Sequence, residues 1–422
     1  MTSAIGNPPP VDRLHPLISV ERARQAAVAG VLPISGSETL PLRALLGRVL
    51  DEAVYASIAL PPFDQSAMDG YAVRSREISS IPATKVVSGR HAAGQRPSFA
   101  SLPPNSAVRI LTGAVVPQDF DAVVKDEHCS RSGETVTIDH RPSAGDNVRR
   151  SGEDVASGAL IVDRDRMIDA RHIAIMAAAG ISSAFVRRKI NVGLISTGDE
   201  IRDTGESLEP GDVHDSNRPM LAAMLDRPSI ALHDFGHVPD DPERLAQAFA
   251  DAAKSVDILL STGGISVGEE DLVQAAIAAR GGYVDPLRAG MKPGKPAAIG
   301  RLGGTVLMAL PGNPLAALVT FLWFARPVIE RRMGLTPSMP LSIPARAAFS
   351  ERRRPGRDEF VPVAIRREGD GPLVATKLGR GGSSRLAPLL SADGLARIPG
   401  HLDSIGSGDP LDVYLFTCAF AL

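Results

Sequence analysis

Apolar positions along this chain follow several periods, and each change of period marks a change of architecture. Residues 20–29 carry apolar side chains at helical spacing, with Ser19 placed to cap the start and Gly30 to stop the end. From about residue 55 to 149 the apolar runs are short, such as 122–125 and 135–138, and Gly, Pro, Asn and Asp divide them, which is the text of strands and turns. A helical pattern returns at 170–179, so the β-rich lobe reads as an insertion in a helical linking domain built from both flanks. Between 187 and 333, apolar runs at 190–195, 230–238, 256–260 and 306–310 alternate with helical stretches at 218–225, 242–254, 272–280 and 315–332. Such alternation predicts a mostly parallel sheet covered by helices. Beyond Pro337, β-like pieces at 359–365, 373–378 and 412–416 predict a small C-terminal barrel or sandwich. The fold class expected is multidomain α/β plus β, with a helical linking domain (1–54 with 146–186), a β-rich lobe (55–145), an α/β domain with a parallel-rich sheet (187–333) and a C-terminal β-barrel domain (334–422).

Composition narrows the function classes. At 422 residues with 44% apolar and 22% charged residues, the chain can bury several cores. Its longest apolar runs, near 174–179 and 315–325, fall short of the ~20 residues that cross a bilayer, so no membrane partner is expected. Only Cys129 and Cys418 are present, outside any paired motif, which suggests a reducing cytoplasm and no thiolate metal site. A net charge of −2 and 4% aromatics give no footprint for nucleic acid, so an anionic partner must be bound locally.

The local sites are loops that follow the strands of the α/β segment. Ser196-Thr197-Gly198-Asp199-Glu200, Pro239-Asp240-Asp241, Ser261 to Gly268 and Pro311-Gly312-Asn313-Pro314 would all leave the carboxyl edge of a parallel sheet, where open α/β folds bind ligands. Gly263, Gly264 and Gly268 permit close backbone approach, and Ser261, Thr262 and Ser266 supply hydroxyl donors, a combination suited to phosphate or another oxyanion. Arg288, Lys292 and Lys295 add positive charge on a stretch stiffened by Pro293 and Pro296. Glu200, Asp240 and Asp271 are hard oxygen donors, better matched to magnesium (Mg2+) than to zinc. Any one of these loops alone is more often plain connection; their convergence carries the reading. Phe321, Trp323 and Phe324 fall at core spacing, and the histidines, lacking a ligand-spaced pair, read as structural.

The block Pro61-Pro62-Phe63-Asp64-Gln65-Ser66-Ala67-Met68-Asp69-Gly70-Tyr71-Ala72-Val73 resembles the signature of the MoeA family, to which the E domain of gephyrin is related. Residues 109–114, 149–154, 196–200, 215–217, 261–268, 292–296 and 310–314 match further family blocks in order, over nearly the whole chain. The resemblance implies a MogA-like α/β domain, a homodimer with shared active sites, and insertion of molybdate into adenylylated molybdopterin with release of AMP. It carries functional roles onto Asp69, Thr112, Asp154, Glu200, Asp240, Asp271, Pro311 and Pro314, and it implies contact with a MogA-type adenylyltransferase. Gln65, Thr262 and Arg288 depart from the usual family residues, Arg288 keeping the charge. Two competing readings are another enzyme on the same α/β module, an adenylyltransferase or nucleotide pyrophosphatase, and a gephyrin-like scaffold.

Overall fold

The structure, a computed structural model, describes residues 16–95, 102–264, 272–294, 296–367, 369–379 and 382–419. It divides into two compact units: one holds the chain up to Glu38, residues 47–49 and everything from Arg187 onward, and the other holds 39–46 and 50–186.

In the first unit a six-stranded sheet runs in the spatial order Ile230–Val238, Ile190–Thr197, Ile258–Thr262, Thr305–Leu310, Ala298–Leu302, Tyr283–Pro286. The first four strands are parallel, as the alternating pattern predicts. The last two add antiparallel. The reason is local: only Gly303-Gly304 separates 298–302 from 305–310, which is room for a hairpin and not for a crossover helix. Gly300 is obligatory within this edge, because a Cβ there would sit 1.8 Å from the Tyr283 carbonyl oxygen. Helices Pro242–Ala252 and Leu272–Ala278 bury Leu245, Phe249, Val273 and Ile277 against Ile195, Leu259 and Leu307 on one face of the sheet.

The stretch expected as one helix at 315–332 is three: Pro314–Thr320, a π-helical turn Phe321–Ala325, and Arg326–Arg332. Phe321, Trp323 and Phe324 are fully buried, as their spacing predicts. Pro327 has no N–H to offer the Trp323 carbonyl, and the buried Arg24 guanidinium donates to that oxygen at 3.1 Å instead. Arg24 also donates to the Ser338 carbonyl. Helix Val20–Val28, capped by Ser19 as expected, therefore packs on the aromatic helix, whereas its period alone had grouped it with the linking domain.

Trp323 continues outward to Phe360 (5.0 Å between centroids) and Tyr414 (5.1 Å), which belong to the C-terminal sheet. There Asp358–Arg367, Leu373–Lys377, Ser342–Ala347, Pro410–Leu415 and Gly394–Ile398 pair in order, and the last strand pairs back onto the first. Closure into a five-stranded barrel leaves no free edge and encloses Val363, Ala375, Ile398 and Val413.

In the second unit a sheet is ordered Ala122–Lys125, Gly70–Val73, Ser106–Ile110, Ala83–His91, Thr135–Ile138, Cys129–Ser132. Tyr71, Val73, Ala107 and Val124 fill one side, and Ala72, Val108, Ile110 and Val123 fill the other. The flanking chain contributes helix Ala170–Ala178 and the ribbon pairing Leu160–Val162 with Val54–Tyr55 around a separate core of Leu45, Leu50, Ile168 and Met176. Asp169 caps that helix and accepts from Arg171, which holds its carboxyl below the usual carboxylate range.

Candidate active site

Strand register brings the loops of the first unit to one edge. Ile195, Ser261, Ala309, Ala298 and Pro286 form a single row across the sheet, with Ser196 opposite His237 one position further along. The chain leaves this row into 198–200, 239–241, 263–264, 311–313 and 287–297, so the acidic, glycine-rich and basic segments all start from the same side. Gly263 (φ +89°) and Gly264 (φ +62°) form the turn after Thr262. A Cβ on Gly263 would lie 2.1 Å from the Thr197 carbonyl oxygen, and one on Gly264 would lie 2.4 Å from Thr197 Oγ1. Glycine is therefore required by close packing of two strand ends as well as by dihedral angle.

The acidic loops are stitched together. The Asp240 N–H donates to Asp199 Oδ1 at 3.0 Å, and His237 Nε2 lies 2.7 Å from the Gly198 carbonyl oxygen. Burial, together with the charges of Asp199 and Glu200, pushes the Asp240 carboxyl above its ordinary value, and its Oδ1 is buried with no hydrogen bond among the described residues. No group of three or more His, Cys, Asp or Glu side chains is arranged to hold a metal among the described residues.

Beside them, Asp215 organises the start of helix Asn217–Leu225. Its Oδ1 accepts from the N–H groups of Asn217 (3.1 Å) and Arg218 (3.0 Å), and its Oδ2 accepts from Ser196 Oγ and from Arg218 Nε (3.1 Å). Arg218 also pairs with Asp203 and Asp234. Asn217 Nδ2 donates to Thr262 Oγ1 and to the Gly312 carbonyl, both at 2.7 Å, and Thr262 Oγ1 passes a bond to the Pro311 carbonyl at 3.2 Å. Pro314 occupies the first turn of the next helix, where no N–H is needed.

On the basic side, Arg288 adopts φ +47° while its carbonyl accepts from the Ile18 N–H. Met291-Lys292 pairs in parallel with Asp358-Glu359 of the barrel, and Lys292 Nζ reaches Glu359 Oε1 at 3.3 Å. A cavity of about 410 Å³ opens here, lined by Lys292, Pro293, Gly294, Leu315 and the barrel residues Arg357, Lys377 and Arg385.

In the second unit, both Thr112 donors converge on Asp69 Oδ1, the backbone N–H at 2.8 Å and the hydroxyl at 2.7 Å, and they hold the exposed carboxyl below its ordinary range. Arg109 grips both oxygens of Asp126 at 2.6 Å and the Gly70 carbonyl at 2.8 Å. A Cβ on Gly70 would lie 1.9 Å from the Val124 carbonyl oxygen, so close pairing with strand Ala122–Lys125 requires glycine directly after Asp69.

Three family models align along the chain in order: the MoeA N-terminal region (domain I and II) over 18–180, a probable molybdopterin binding domain over 193–331, and the MoeA C-terminal region (domain IV) over 344–416. The chain is 30% identical over 402 residues to a molybdopterin molybdenumtransferase from Haemophilus influenzae, covering 95% of this chain and 99% of the relative. It is 33% identical over 404 residues to molybdopterin molybdenumtransferase 2 from Mycobacterium tuberculosis, covering 93% and 98%. The chain belongs to the MoeA family. A solved MoeA structure from Pyrococcus horikoshii shares the fold with a TM-score of 0.80 at 24% identity, over 95% of this chain and 100% of that one.

Within this MoeA enzyme, Glu200, Asp240, Gly263, Gly264, Ser261 and Pro311 start from one sheet edge. Asp69 and Thr112 bond to each other in the other unit. Asp154, exposed, is held there by its N–H to the Leu60 carbonyl. Ser266, Asp271 and Lys295 lie outside the described residues. Lys292 is exposed and has Glu359 as an ion-pair partner. Sequence reasoning passed over Asp199 and gave Asp215, Asn217 and Arg218 no role, although an Asp two residues ahead of a helix is a capping signal. Arg357, Lys377 and Arg385 of the cavity had no signal beyond a basic run at 352–357, because the barrel segments that carry them follow the α/β module by tens of residues.

Proposed function

We propose that this MoeA enzyme inserts molybdenum from molybdate into adenylylated molybdopterin and releases AMP. The observation that carries the reading is the shared carboxyl edge, where carboxylates, a glycine turn and a basic segment leave adjacent strands of one sheet. The substrate's phosphate groups and the molybdate dianion both need fixed donors and a neighbouring positive charge. Gly263, Gly264 and Ser261, with Ser266, suit close approach by a phosphate, and Arg288, Lys292 and Lys295 suit the oxyanion. The cavity beside Lys292 adds Arg357 and Arg385 to that charge, with Lys377 paired to Glu351. Pro311 and Pro314 shape the loop at this edge, since proline offers no side-chain donor or acid, and Asp154 is assigned to substrate binding by the family resemblance alone.

Magnesium fits the acidic side. A carboxyl raised by burial and by the charges of Asp199 and Glu200, with a buried unbonded oxygen, would be relieved by a divalent cation. Glu200 and Asp240, with Asp271, would hold it, and the ion would offset phosphate charge during transfer.

The matches at both ends of the chain favour this reading over an adenylyltransferase or pyrophosphatase, for which the α/β module would suffice. We further propose a cytoplasmic homodimer in which Asp69 and Thr112 of one protomer complete the edge of its partner, and which takes its substrate from a MogA-type adenylyltransferase. Support for sharing is that the two residue sets fall in different compact units of one chain. No helix among the described residues is long and apolar enough to cross a membrane, and the two cysteines suit a reducing compartment. The deciding measurement is AMP release from adenylylated molybdopterin with and without molybdate. Molybdate-dependent release is expected; release that ignores molybdate would support the pyrophosphatase reading instead.

A further inference from the structure

Asn217 has a chemical peculiarity that anion binding does not use. Its side chain is 6% exposed, and both amide protons are spent on Thr262 Oγ1 and the Gly312 carbonyl. The two bonds fix the amide orientation, since the Gly312 carbonyl can only accept. Asn217 Oδ1 is then a buried acceptor, and it has no hydrogen bond among the described residues. Leaving such an oxygen without a donor costs about 1–3 kcal/mol, and native structures rarely tolerate it without a reason. Its neighbours are the end of strand Ile258–Thr262 and the 311–313 loop, at the edge where the proposed substrate binds. Thr197 Oγ1, 1% exposed and close beneath Gly264, is likewise buried without a hydrogen bond among the described residues.

An amide oxygen repels phosphate and molybdate alike. What it accepts is an N–H or an O–H donor. We infer that Asn217 Oδ1 reads an N–H donor on a heteroaromatic ring of the substrate, and that Asn217 is a specificity-determining residue of this MoeA enzyme. This rests on the reading of the substrate as adenylylated molybdopterin, which presents two such rings, a pterin with a 2-amino group and an adenine with a 6-amino group. Asp215 and Arg218 hold the residue from behind, because Asp215 accepts the Asn217 N–H and Arg218 pins Asp215. The clamp on Thr262 and Gly312 fixes it from the front. A rigid acceptor of this kind discriminates strongly, since a ligand with an oxygen in the donor's place leaves two acceptors face to face.

The test is a set of binding ratios on the full chain. Affinities are measured by titration for pterin and lumazine, which differ by amino against oxo at one ring carbon, and for AMP and IMP, which differ in the same way. Wild type should prefer the amino member of at least one pair by roughly tenfold or more, the value of one buried hydrogen bond. Asn217→Ala should bring that ratio to near one. Thr262→Val removes part of the clamp but not the acceptor, and should weaken both members of a pair together. Loss of the pterin preference places the pterin ring at Asn217, and loss of the AMP preference places the adenine there. A wild-type preference that survives Asn217→Ala overturns the assignment while leaving the functional reading intact. Failure of wild type to bind any of the four overturns both.

Discussion

Asp69 Oδ1 accepts two hydrogen bonds from a single residue, the N–H and the hydroxyl of Thr112, although 43 positions separate them in the chain. The pair fixes where the carboxylate points and keeps it ionised. Replacing Thr112 by Val leaves the backbone donor and removes the hydroxyl, so Asp69 loses orientation without losing charge. We expect molybdate-dependent AMP release to fall roughly tenfold, by the order of one charge-assisted hydrogen bond. Thermal unfolding should change little, because the side chains are at the surface. Unchanged turnover for Thr112→Val would remove the pair from the site.

Gly263 tests the turn itself. A methyl group there meets the Thr197 carbonyl at 2.1 Å, and the backbone is held at φ +89°. Gly263→Ala should displace the turn, lower the melting temperature, and weaken AMP binding by at least tenfold, given ~1–3 kcal/mol of backbone strain. Wild-type affinity for AMP in the variant would show that the turn does not contact phosphate.

Asp240 predicts a pH signature. Its carboxyl titrates above the ordinary value because of burial and of Asp199 and Glu200. In the metal-free protein, the folded state therefore keeps a proton that the unfolded state has released. That contribution to stability is fully present below the ordinary carboxylate pKa and is lost as pH rises through the raised one. Magnesium should reverse the balance by favouring the ionised form, so its effect on melting temperature should grow as pH rises through the same range. Asp240→Asn should stabilise the metal-free protein at neutral pH and remove the magnesium response; a response that persists in this variant would place the ion elsewhere.

Lys292 bridges two roles, because its ammonium faces both the cavity and Glu359. Lys292→Ala should weaken molybdate binding about tenfold at low salt. The gap from wild type should narrow as salt is raised, since screening acts on the attraction that the variant has already lost. A salt-independent gap measured by titration would point to packing against Glu359 in place of charge.

Site sharing makes a stoichiometric prediction. Chains carrying Asp69→Ala and Asp271→Ala, each inactive alone, should give about half of wild-type activity in a purified mixed dimer, because one of the two symmetry-related sites is then intact. A mixed dimer as inactive as its parents would assign both residues to the same protomer.

Much of the architecture was legible in local sequence. Alternating strand and helix periods at 190–332 specify the parallel core of the sheet, and Ser19 and Asp169 announce helix starts by the chemistry of their own side chains. The loops at Gly198, Asp240, Gly263 and Pro311 could be assigned to one edge because parallel strands must release their loops on the same side. Tertiary structure decided what depends on partners distant in sequence. Helix Val20–Val28 went to the α/β body because Arg24 supplies the donor that Pro327 denies to Trp323, about 300 positions away. The buried oxygen of Asn217 arises only when Thr262 and Gly312 together consume its amide protons, and Lys292 meets Glu359 only once the barrel strand lies beside it. A side chain's type sets what it can donate or accept; only the packed chain settles which of those valences remain for a ligand.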